Sequence, residues 1–176
     1  MAKGKTKTEQ LPISTCLDNA KSDLQELADE MDNWRSNMEG TNLEYTQKYQ
    51  DVSDCADTLQ DQLGSLEDVV STIEDMKGFD LQKTATVTFY ETKKPSRRDR
   101  LDMVVAYLNE AKDELQDQVD EMREKVRQLE ELDVLTPEQK EEMEKLEESA
   151  DSMEDQLNEL DNIISELESV DFPGMY

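Results

Sequence analysis

Forty-five aspartates and glutamates, two cysteines and no histidine dominate the reactive chemistry of this 176-residue chain. Without imidazole there is no side chain whose ordinary pKa lies near neutrality, and no common nitrogen ligand for zinc. Carboxylates catalyse proton transfer when burial or neighbours drive their pKa values apart. The adjacent pairs Glu141 and Glu142, and Glu147 and Glu148, fall on helix faces that solvent should bathe, and read as surface charges. No glycine-rich phosphate loop, EF-hand loop or cysteine cluster is present. The residue types therefore point to a non-enzymatic protein that calls for no cofactor or metal. Cys16 and Cys55 fall on one expected helix, roughly 58 Å apart at about 1.5 Å per residue, too far to pair. Two reduced thiols fit a cytosolic or intravirion setting.

Binding chemistry is better represented. From Ser14 to Lys77 there are 16 acids against 4 bases, and from Glu138 to Asp171 there are 14 against 2. The basic residues gather instead at Lys93, Lys94, Arg97, Arg98 and Arg100, and at Lys3, Lys5 and Lys7. The net charge of −26 argues against nucleic-acid binding by the acidic body, since phosphate contacts need clustered lysine and arginine. Only the basic loop or the N-terminal tail could make them. The charge favours basic protein partners. Two explanations of the basic clusters stand side by side: they offset the field of the chain's own acidic helices, or they grip an acidic surface such as a neighbouring copy. Trp34, Tyr45 and Tyr49 likewise serve either core packing near Gly40 or a partner hot spot. The last residues, from Asp171 to Tyr176, leave the helix at Pro173 and either pack over its end or form a docking peptide.

The elements that position these residues follow from periodicity. Leu17, Leu24, Met31, Met38, Tyr45, Val52, Leu59, Leu66 and Ile73 form one apolar series. Ala20, Leu27, Trp34, Thr41, Lys48, Cys55, Gln62, Val69 and Met76 form the interleaved one. A 3,4 alternation of this length predicts a long heptad helix over 14–77, preceded by a flexible basic tail, 1–13. Gly40-Thr41-Asn42-Leu43-Glu44 is also a C-terminal glycine followed by a capping box. The unbroken phase across Gly40 nevertheless favours a straight helix. Its first half, from Thr15 to Glu39, then projects beyond the rest and must be covered by another chain; a break at Gly40 is the alternative. Residues 78–97 form a strand, centred on Thr84–Tyr90, and a basic loop. That strand pairs with Phe79–Gln82 in a hairpin or with a second copy.

A second helix, 98–134, starts behind Ser96 as N-cap, with a seam of Leu101, Val105, Leu108, Lys112, Leu115, Val119, Met122, Val126 and Leu129. A third, 136–171, has Thr136 as N-cap, Pro137 at its first position and Gln139 closing a capping box. Residues 172–176 form a C-terminal tail. The fold class expected is all-α: an elongated antiparallel bundle or coiled coil of three long helices, four if broken at Gly40. No apolar run suits a membrane span and no signal peptide is apparent.

The function expected is assembly through protein–protein contacts and self-association, as in a virus particle or another large complex. The candidate partner-binding residues are Leu17, Leu24, Leu27, Met31, Trp34 and Met38 on the projecting stripe, Val87 and Phe89 on the strand, and Lys93, Lys94, Arg97, Arg98 and Arg100. A second reading is an inhibitor that mimics nucleic acid in the groove of a basic protein. A third rests on outline: a long helix, a β-segment and returning helices resemble the prefoldin layout, with the return split at Thr136. That resemblance implies a chaperone-like clamp.

Overall fold

The computed structural model describes residues 5–174. In chain order it contains β1 (Lys5–Pro12), α1 (Ile13–Met38), a single 3-10 turn (Asn42–Tyr45), α2 (Gln47–Asp75), β2 (Thr84–Glu91), α3 (Arg97–Glu130) and α4 (Pro137–Glu168). The chain is mostly helical, with four helices and one two-stranded sheet. The two helix starts expected from sequence are both present. Ser96 Oγ accepts from Asp99 N while the Asp99 carboxylate accepts from Ser96 N at 2.8 Å. Thr136 and Gln139 repeat the exchange around Pro137. Each box satisfies two backbone donors that a helix start leaves open.

The long first helix is not continuous. It ends at Met38, and Gly40 adopts a φ of 72°, the left-handed conformation that glycine tolerates without a Cβ penalty. The turn satisfies its own polar groups. Gly40 N donates to the Glu44 carboxylate at 2.8 Å, Thr41 Oγ1 donates to Met38 O at 2.6 Å and accepts from Leu43 N. Thr46 then caps α2 by accepting from Tyr49 N. The heptad phase crosses the break because both arms of the resulting hairpin bury their seams in one core. Met38 and Val52 are inside, while Tyr45, at the position between them, is 87% exposed. Phase continuity alone therefore cannot separate a straight helix from a hairpin. The continuous helix on which the prefoldin outline depends is absent.

Among the described residues, α1 lies close against α2 and α3, and α4 against the same two, whereas the α1–α4 and α2–α3 backbones stay further apart across the shared core. The helices thus stand at the corners of a square with those pairs on its diagonals. Neighbours run antiparallel, as cross-links at matching heights record. Glu30 of α1 meets Arg100 at the start of α3, while Lys112 of α3 meets Asp161 of α4 at 2.5 Å. The seam of α3 includes Val104 and Ala111, both fully buried, where sequence spacing placed Val105 and Lys112. Contacts with β2 as well as α1 and α4 turn its buried face away from a simple heptad line.

Crossing the diagonal from α2 to α3 takes the chain from one end of the molecule to the other through Met76–Ser96, and β2 lies on that route. Its partner within the chain is not Phe79–Gln82. The N-terminal segment, expected as a flexible tail, is strand β1, paired antiparallel with β2 from Lys5↔Glu91 to Pro12↔Thr84. Phe79 and Leu81 instead pack on the core. The carbonyls of Leu81 and Lys83 accept from Ser14 N and Ile13 N, at 3.0 and 2.9 Å. The segment proposed for a hairpin is thereby used to close the first turn of α1, whose donors lack intrahelical partners. Ala85 and Val87 are fully buried beneath the sheet. No described helix is long and apolar enough to cross a membrane.

Candidate interaction surfaces

The stripe assigned to a partner is covered by the chain itself. Leu17, Leu24, Leu27 and Met31 are fully buried and Met38 is 4% exposed. Folding back at Gly40 supplies α2 as their cover, so the inference that they need another chain no longer stands. Val87 is buried too, and Phe89 is half-buried beneath Lys7, whose Nζ lies 5.8 Å from the ring centre. Trp34 is half-buried between two cations, with the Arg97 guanidinium 5.1 Å and Lys48 Nζ 5.8 Å from its ring. Such stacking uses the negative face of the indole and holds two chain segments to α1. Tyr49 donates to Glu39 at 3.2 Å, bracing the turn.

The basic cluster divides into two groups with different tasks. Arg100 makes a two-pronged contact with Glu30, at 2.6 and 2.7 Å, and Arg97 Nε reaches the same carboxylate at 3.2 Å. The Arg100 hydrogen bond is the main cause that holds the Glu30 carboxyl below its ordinary pKa. Arg98 donates to Val170 O at 2.8 Å, at the C-terminal end of α4, where open carbonyls and the helix dipole favour a cation. These arginines fasten the start of α3 to α1 and α4. Lys93 and Lys94 are exposed and form no ion pair among the described residues. Of the tail lysines, Lys7 pairs with Glu9 at 2.8 Å, and Lys3 lies outside the described residues.

Both cysteines are buried and unpaired. Burial pushes each thiol up to about 11, with Glu110 adding to the effect at Cys16 and Arg97 opposing it at Cys55. Neither is an activated nucleophile, since reactivity follows the thiolate. Beside Cys55 a notch of about 480 Å³ opens between the start of α2 and the end of α4, lined by Asp51, Asp54, Glu166 and Asp171. Phe172 packs back on the core there. Met175 and Tyr176 lie outside the described residues, so the proposed docking peptide is described only as far as Gly174.

One surface has no counterpart among the residues expected from sequence. Gly78, just past α2, lies level with Met122, whose Cε is 3.4 Å from where a Cβ on Gly78 would stand. Gln118 bonds to Asp80 close to the start of α1. Beyond Met122 α3 runs eight more residues, to Glu130, or about 12 Å, alongside the first turns of α4 and past the ends of α1 and α2. The hairpin is braced by Arg123, which bonds Asp151 and Glu154 at 2.9 and 2.6 Å. Its seam loses cover toward the tip. Val126 is buried, Leu129, Met143 and Leu146 are half-buried, Leu132 is 45% exposed and Val134 84% exposed. On the side vacated by α2, a groove of about 590 Å³ runs from Lys77 and Met122 along Glu138, Glu141, Lys145 and Leu146. No single stretch of sequence signals it, because it follows from where the four helices stop relative to one another. No protein family, curated protein or solved structure matches the chain.

Proposed function

We propose that this is a non-enzymatic assembly protein that holds another protein on the projecting end of the α3–α4 hairpin. The observation that carries the reading is the uncovered seam: Leu132 and Val134 stand exposed beside half-buried Leu129, Met143 and Leu146, at the far end from the fastened helix starts. Apolar side chains clustered within a polar rim are a common mark of an interaction site. The rim is acidic, with Glu130, Glu131, Asp133, Glu138, Glu141 and Glu142 near the tip, so the partner presents basic residues around an apolar centre. Self-association is not needed to cover α1, and the proposed partner is a different protein.

The test compares proteins that co-purify with the wild-type chain and with the double variant Leu132→Ser, Val134→Ser. Both residues are already solvent-accessible, so the thermal midpoint should be unchanged. Loss of a stoichiometric partner at unchanged stability supports the reading, and retention of the same partners rejects it. A second reading is nucleic-acid mimicry, favoured by the acidic face of α4, where 14 acids face 2 bases between Glu138 and Asp171. Duplex DNA competes for the partner in that case and leaves a hairpin-docked partner in place.

A further inference from the structure

The two-stranded sheet has two outer edges, and only one of them is defended. Open edges offer unpaired N–H and C=O groups to any extended chain, and proteins blunt them with charges and proline. β1 carries Lys5, Lys7, Glu9 and Pro12. From Thr84 to Tyr90, β2 has neither a charge nor a proline, and four of its eight residues are threonine or valine. Among the described residues, no group outside β1 hydrogen-bonds to the main chain of Thr84–Glu91. The groups on the far side of β2 are therefore open.

What lies beside that edge narrows the occupant. β2 packs on α3 whereas β1 does not, so the open edge of β2 runs over α3. Lys83, which leads into β2, reaches Glu114 of α3 at 3.3 Å. At helical spacing from Glu114, Glu110 and Met103 share that flank of α3, and both are half-buried. Burial raises the pKa of Glu110, and the neighbouring Asp113 and Glu114 carboxylates add to the shift. An added strand would meet a partly apolar floor bordered by carboxylates.

We propose that the open edge of β2 accepts an extended segment of another protein, one that alternates β-branched or apolar residues with lysine or arginine. Main-chain bonds to the edge would hold it, and alternate side chains would lie on α3 and in solvent. A second copy of this chain is the wrong occupant. Pairing β2 with its own counterpart would bring two α3 flanks together, each bearing Glu110, Asp113 and Asp117, in chains of net charge −26. This site involves neither the hairpin nor its groove, and it stands or falls separately from the reading above.

The test uses the full chain and a fluorescein-labelled ten-residue peptide alternating valine and lysine. Anisotropy should rise to saturation, and amide exchange should slow along β2 but not along β1. The same peptide with every other amide N-methylated along one edge should bind about tenfold more weakly, equivalent to roughly 1.4 kcal/mol. The variant Thr84→Lys, Thr86→Lys alters exposed outward positions that make no side-chain hydrogen bond among the described residues, and should weaken the unmodified peptide to a similar extent at unchanged thermal midpoint. Equal binding of the two peptides would overturn the proposal in favour of plain charge attraction. Absence of binding by both overturns it as well. So does protection of β2 that grows with protein concentration without peptide, because a second copy would then hold the edge.

Discussion

Gly40 and Gly64 pose the same substitution in two backbone conformations. A Cβ built on either meets nothing within 4 Å, so packing does not distinguish them. Gly64 lies inside α2, where alanine restricts the unfolded chain and suits the helix. Gly64→Ala is expected to stabilise the protein by about 0.5–1 kcal/mol. Gly40 has a φ of 72°, where a side chain meets the backbone. Gly40→Ala is expected to destabilise by about 1 kcal/mol. Urea unfolding of the two variants checks the pair. If both midpoints rise, residue 40 is helical and the first two helices are one.

At the level of elements, the molecule is fastened where α3 begins. Glu30 on α1 collects Arg100 and Arg97, while Arg98 holds the end of α4, so one turn of α3 joins three helices. The pKa of Glu30 is lowered in the folded state, chiefly by the Arg100 hydrogen bond. A carboxyl of that kind contributes stability above its unfolded pKa and loses it as pH falls through the lowered folded value. The side chain is 38% exposed, so solvent screening reduces its worth. Glu30→Gln should then cost about 1 kcal/mol at pH 7. The difference from wild type should shrink as pH falls below the ordinary glutamate range. Urea titrations at pH 7 and pH 3 test this, and a gap of equal size at both would remove the ion pair as its source.

For the whole molecule, charge opposes compactness. Glu26 with Glu30, Asp57 with Asp61, Glu110 with Glu114, Glu144 with Glu148, and Asp151 with Asp155 are like-charged neighbours at helical spacing. Each costs roughly 0.2–0.5 kcal/mol at low salt. Exposed attractive pairs such as Lys145 with Glu141, or Arg127 with Glu124 and Glu131, are worth little in return. Salt screens both, and at a net charge of −26 the repulsion is the larger sum. The thermal midpoint should therefore rise from low salt to about 0.5 M sodium chloride, where the Debye length has fallen to a few ångströms. A flat or falling curve would show that attractive pairs govern stability instead.

Signals carried by short stretches of chain are legible in the sequence by itself. Ser96 with Asp99, and Thr136 with Pro137 and Gln139, set helix starts because each cap spans only four residues. The 3,4 spacing of leucine, methionine and valine marks the buried faces, and the alternation in Thr84–Tyr90 marks a strand. The basic cluster is likewise located by residue type alone. Only the tertiary structure decided what each feature faces. A heptad phase reads the same through a straight helix and through a hairpin that buries both arms in one core, so the cover over Leu17–Met38 was invisible. In Lys5–Pro12, the lysines hide a threonine alternation, and its pairing with β2 spans about eighty residues of sequence. Arg97, Arg98 and Arg100 became fasteners because Glu30 and the end of α4 come to them in space. The bare end of the α3–α4 hairpin follows from comparing where four helices stop, a relation among elements that no single segment records.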